Sequence, residues 1–153
     1  MSSSAVAPAP AALDTDARRP ALIVVAVDIS PERGSEPGKA WNWCCALARQ
    51  YRLHVVTGSA LDPRCREHPA AAEWTWHLTP SAQPIDPGLS YYRHYARWCD
   101  EALAMAQAVI AREPVAGIHH ITLGSFRVLP RYDRLGVPYT LGPLGGGEVA
   151  PPA

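Results

Sequence analysis

The sequence predicts an α/β domain organised as a doubly wound parallel sheet. Three observations carry that expectation. Short β-branched runs recur along the chain, amphipathic stretches of helical period separate them, and clusters of turn formers lie between the two. Strands that alternate with helices need crossover connections, and crossovers make parallel sheets.

The elements follow in order. Residues 21–27, ALIVVAV, form a continuous apolar run of the kind that fills a strand buried on both faces. Residues 30–38 are dense in Ser, Pro and Gly and read as a loop. From residue 40 to 50 the period changes: Trp41, Cys44, Cys45 and Ala48 share one helical face, while Asn42, Arg49 and Gln50 do not. Residues 53–57 then give a second strand, closed by Gly58. Residues 61–69 read as loop. Residues 74–78 alternate as a third strand, with Trp74, Trp76 and Leu78 on one side. Three prolines between residues 79 and 88 mark a connection. A long helix over residues 90–112 carries Tyr91, Tyr95, Trp98, Ala102, Met105 and Val109 on one stripe. Residues 117–123 make a fourth strand, residues 126–135 a short helix disturbed by Pro130, and residues 139–141 a fifth strand.

Composition narrows the function classes. Fourteen Lys and Arg balance fourteen Asp and Glu, so nothing in the net charge suggests a grip on nucleic acid or on an anionic membrane. Residues 1–20 are rich in Ser, Ala and Pro and read as a disordered tail, with neither the basic start nor the apolar run of a secretory signal. The longest apolar stretch is far short of the roughly 20 residues that span a bilayer. Cys44, Cys45, Cys65 and Cys99 make no CxxC pair and no zinc spacing, which reads as small core residues in a reducing cytosol. Asp14 and Asp16 match a DxD pattern, but no strand precedes them, so a metal site is not expected.

In a doubly wound sheet, ligands bind beyond the carboxyl ends of the strands. Three loops lie there: residues 30–39, 122–127 and 142–148. Gly145, Gly146 and Gly147 allow close backbone approach to a ligand, yet they fit neither a dinucleotide fingerprint nor a Walker loop. Glu148 beside them disfavours phosphate and suits sugar hydroxyls, although a tight turn with Glu148 at a helix start fits equally well. His119 and His120 point to opposite sides of their strand, and His120 shares a face with Thr122 toward the crevice. Ser125 and Arg127 follow in the next turn, and Glu36, Gly38 and Lys39 occupy the first loop.

Three stretches together resemble the amino-terminal domain of bacterial family 4 glycosyltransferases: residues 117–127 (GIHHITLGSFR), residues 135–138 (LGVP) and residues 142–148 (GPLGGGE). Residues 40–43 (AWNW) and 91–98 (YYRHYARW) are similar to the same group. The resemblance implies a Rossmann-like half of a GT-B fold, incomplete over residues 21–153. It implies retaining transfer from a nucleotide-sugar donor, a co-substrate, to a glycan or lipid-linked acceptor, with no other cofactor and no obligatory metal. His120 and Glu148 are then the candidate catalytic residues. Glu36, Gly38, Lys39, Thr122, Ser125, Arg127, Gly145, Gly146 and Gly147 are the candidate substrate contacts. The donor-binding second domain is missing from the sequence, so the chain alone is expected to be inactive. Polysaccharide or lipopolysaccharide assembly at the inner face of the cytoplasmic membrane is the implied setting, with peripheral membrane association. The alternative is a non-catalytic α/β module that binds a sugar or a nucleotide.

Overall fold

The computed structural model describes residues 19–82, 89–123 and 127–144. Within them, β1 (Ala21–Ala26) lies at the centre of a five-stranded parallel sheet. It is flanked on one side by β2 (Arg52–Thr57) and β3 (Thr75–Leu78), and on the other by β4 (Val115–Thr122) and β5 (Tyr139–Leu141). The order is β3-β2-β1-β4-β5, and every pairing is parallel. All five expected strands are present, and the α/β class with a doubly wound parallel sheet holds.

Burial of β1 on both faces divides the core in two. Leu22, Val24 and Ala26 join Trp41, Cys44 and Ala40 on one face; Ile23, Val25 and Val27 join Tyr95, Trp98, Ala102 and Val109 on the other. The first set belongs to α1 (Ser35–Leu47), the second to α3 (Leu89–Ile110). Helix α1 crosses from β1 to β2, and α3 carries the chain back past β1 to β4, so the two crossovers occupy opposite faces. The strand order therefore reverses between β1 and β4.

The helices depart from expectation in three places. Helix α1 starts at Ser35, five residues before the change of period at Ala40. Pro37 sits in its first turn, where a missing N–H costs no helical bond. Gly38 fits because the Arg33 carbonyl oxygen lies 2.4 Å from where a Cβ would stand. Residues 61–69 contain a short helix, α2 (Pro63–Glu67), whose cap is the Asp62 carboxylate accepting from the Arg64 N–H, and a 3-10 turn follows at Pro69–Ala71. Over the expected helix of residues 126–135, the described part holds only a 3-10 turn, Tyr132–Arg134. Pro130 just before that turn is buried, and proline cannot donate an intrahelical bond.

Strand β5 docks through a close backbone contact. The Ile118 N–H donates to the Pro138 carbonyl at 2.9 Å, and that oxygen would lie 2.7 Å from a Cβ on Gly117. A methyl group there must push β5 outward, whereas Gly34 has open space around it. Gly117→Ala is therefore expected to cost about 1–3 kcal/mol, read as a lower urea midpoint at unchanged slope. Gly34→Ala is expected to stay within about 1 kcal/mol.

Candidate functional site

The carboxyl end of β1 leads into a loop that its own side chains fix. Asp28 accepts from the Ile29 N–H at 2.9 Å and pairs with Arg33 at 2.5 Å. The Ser30 hydroxyl accepts from the N–H groups of Glu32 and Arg33, and the Ser30 N–H donates to the Pro37 carbonyl at 3.2 Å. Ser35 has φ 56°, left-handed for a residue with a Cβ, and turns the chain into α1. Arg64 on α2 reaches Glu32 at 2.6 Å and ties the loop to the next connection.

This loop and the start of α1 enclose a cleft of about 580 Å³ lined by residues 31–35, Gly38, Lys39, Asn42 and Trp43. Its charges are largely paired: Arg33 with Asp28, Glu32 with Arg64, and Lys39 within 3.9 Å of Glu36 one turn earlier. Trp43 is 41% exposed and stands on the far side of α1 from the buried Trp41. Its ring lies 5.1 Å from that of His119.

Trp43 also lines a second groove, about 340 Å³, between α1 and the β4–β5 edge. Leu47, Tyr51, His119, Tyr139 and Thr140 are among its walls. There the His119 Nδ1 lies 2.5 Å from the Thr140 hydroxyl, while its Nε2 is buried without a hydrogen-bond partner among the described residues. Burial lowers the pKa of His119 below the ordinary histidine value. The two hollows meet at Trp43, so one aromatic ring separates a polar cleft from an apolar groove.

The candidate residues fall in different environments. Glu36, Gly38 and Lys39, expected in a loop, occupy the first turns of α1; Gly38 and Lys39 line the cleft. Glu36 lies where the helix dipole favours an acid. Thr122 is fully buried, and its hydroxyl accepts from the Val27 N–H at 3.1 Å, which ties β4 to the end of β1. Arg127 is exposed, with its guanidinium 5.5 Å from the centre of the Tyr92 ring. Ser125, Gly145, Gly146, Gly147 and Glu148 lie outside the described residues.

His120 is only 3% exposed and does not open onto the cleft. The Tyr95 hydroxyl sits 2.7 Å from its Nε2 and the Tyr132 hydroxyl 2.9 Å from its Nδ1. Tyr95 also accepts from the Leu123 N–H at 2.9 Å. A neutral ring satisfies this chain: Tyr95 donates to Nε2, and Nδ1–H faces Tyr132. Both ring nitrogens are thereby engaged inside the core. Burial lowers the His120 pKa to about 3.

Trp43, Asn42, His119 and Thr140 are not among the candidate site residues that the sequence offers. The signal for Trp43 was a large aromatic off the buried stripe of its helix. His119 and Thr140 meet only through the β4–β5 register, in which they are partners. No group of His, Cys, Asp or Glu among the described residues is suited to a metal ion, and none of their helices is long and apolar enough to cross a membrane. Comparison of the chain with protein-family models, curated proteins and solved structures found no match in any of the three.

The buried imidazole has a consequence for stability. Its folded pKa lies below that of the unfolded chain, so the stabilisation is complete above about pH 6.5 and is lost as pH falls toward 3. The full difference is about 5 kcal/mol at about 1.4 kcal/mol per unit. Urea unfolding at pH 7, 5 and 4 is expected to show a steep loss in the native protein. His120→Asn is expected to be less stable at pH 7 and to show a shallower loss.

Proposed function

We propose that this chain is the acceptor-binding half of a glycosyltransferase of the family 4 type, and that the cleft at the end of β1 receives a neutral sugar. The observation that carries this reading is the cleft itself, at the carboxyl end of the central strand next to the point where strand order reverses. Doubly wound sheets bind their ligands there. The lining favours a polyhydroxylated ligand over a phosphate. Arg33 and Lys39 already face carboxylates, so little positive charge remains for an anion. The Asn42 amide both donates and accepts, as hydroxyl groups require, and the exposed Trp43 face suits the apolar side of a pyranose ring.

In this reading donor binding belongs to a second Rossmann-like domain, as the resemblance implies, and the nucleotide sugar engages only when that domain is supplied. The GT-B assignment, the glycan or lipid-linked acceptor and a working place at the inner membrane face rest on the same resemblance. His120 serves as a tie between β4, α3 and the 3-10 turn rather than as an acid or base in the cleft. Its burial also favours a second reading, a sugar-binding α/β module without catalysis of its own. The two differ in whether an added donor domain restores transfer.

Calorimetric titration with neutral oligosaccharides is expected to show binding that Trp43→Ala weakens by about tenfold or more, a change of about 1.4 kcal/mol. Nucleotides and nucleotide sugars are expected not to bind the chain alone. Tight nucleotide binding with no response to sugars would overturn the proposal.

A further inference from the structure

Far from the cleft, on the α3 face of the sheet, four side chains form a continuous polar chain. Arg52 on β2 pairs with Glu113 at 2.5 Å, and the other Glu113 oxygen lies 3.0 Å from the His54 Nε2. The His54 Nδ1 then lies 3.0 Å from the Nε2 of His77 on β3. His54 is nearly buried, and the two imidazoles stack at a ring separation of 5.3 Å. The cluster thus joins β2, the edge strand β3 and the segment that leaves α3.

Its proton arrangement follows from the acceptors. Glu113 can only accept, so the His54 Nε2 carries hydrogen; the His54 Nδ1 then accepts from the His77 Nε2–H. Both rings are neutral and every bond in the chain is made. One added proton is tolerated. On His77 it leaves the His77 donor in place, and on His54 it is met by the Glu113 carboxylate once His77 changes tautomer. A second proton is not tolerated. Each facing nitrogen would then carry hydrogen 3.0 Å from the other, and the bond becomes a contact between two cations.

The surrounding charges sharpen that limit. Arg52 faces the pair from β2, and Arg112 and Glu113 face it from the exit of α3, giving two cations to one anion before any histidine is charged. Helix α3 itself presents Ala106 and Val109 to this side of the sheet, which supply no counter-charge.

We propose that His54 and His77 form a pH-operated latch, which holds β3 on the sheet while the pair carries at most one proton and releases it when a second one binds. Strand β3 is suited to such release, because it is an edge strand of four residues whose pairing among the described residues is with β2 alone. Burial lowers the His77 pKa below the ordinary histidine value, and the charges of His54 and Arg112 act in the same direction. A released His77 therefore binds a proton more readily than a latched one. Opening is favoured as pH falls through the ordinary histidine range, by up to about tenfold per pH unit for one extra proton.

Hydrogen exchange of the intact chain between pH 7 and 4.5, corrected for the intrinsic rate, tests this. Amides of residues 75–78 are expected to lose protection by about tenfold or more beyond their loss in His77→Gln, while those of residues 23–26, which follow the acid destabilisation through His120, lose it equally in both proteins. His77→Gln keeps a donor toward His54 and cannot be charged, so its β3 protection is expected to fall with pH no further than the global loss through His120 carries it. An undiminished acid loss from β3 in His77→Gln, or a loss from β1 that the variant removes as well, would overturn the latch. Ring-nitrogen NMR of the native protein supplies a readout that needs no variant. The His77 ring is expected to bind its proton below the ordinary histidine range, and binding within that range would contradict the latch.

Discussion

Strand β1 has no solvent-facing side. All six of its residues are buried, with Leu22, Val24 and Ala26 on the α1 side of the core and Ile23 and Val25 on the α3 side, and both of its edges are occupied by β2 and β4. That constraint determines much of what surrounds it. A strand covered on both faces must be apolar throughout, and its crossovers must leave in opposite directions to cover it. The reversal of strand order beside β1 is the geometric result, and a reversal opens a crevice at the carboxyl ends. The cleft at residues 31–43 is thus a consequence of how the central strand is buried.

Several polar groups among the described residues enter this core in completed sets. His120 is held between two tyrosine hydroxyls, Thr122 accepts from the Val27 N–H, and the Trp98 indole donates to Thr79 at 2.8 Å. The Ser81 N–H and hydroxyl both meet the Glu101 carboxylate, at 2.8 and 2.6 Å. Each set joins a strand end or a loop to the face of α3 or to its neighbour strand. Such interactions give modest net stability but exact a large penalty when half of the set is removed. They fix where β4 ends and where the cleft begins. The apolar groove beside Trp43 differs, since the His119 Nε2 there is buried without a partner among the described residues.

Much of the fold was legible in the residues. The continuous apolar run located β1, because burial on both faces leaves no room for polar interruption, and alternation located β3, whose residues are exposed or half-buried. The stripe from Tyr95 to Val109 located α3, since a long helix repeats its pattern over many turns. The start of α1 was not legible. Pro37 and Gly38 read as loop formers, and only the Arg33 carbonyl packed against Gly38 shows why glycine belongs inside that helix. The candidate site was legible in its location more than in its membership. His120 and Thr122 share the core-facing side of β4, and sequence alone cannot distinguish a histidine that faces a crevice from one enclosed by Tyr95 and Tyr132. Trp43 and His119 come together across two elements, a relation that no local spacing encodes.

The most direct measurement is an amide chemical-shift map of the chain, recorded with neutral oligosaccharides and then with nucleotide sugars. The account predicts shifts from the oligosaccharide alone, confined to the amides of residues 31–43 and the Trp43 indole. Shifts produced by the nucleotide sugar alone, or shifts scattered away from the end of β1, would contradict the assignment of that cleft to an acceptor sugar.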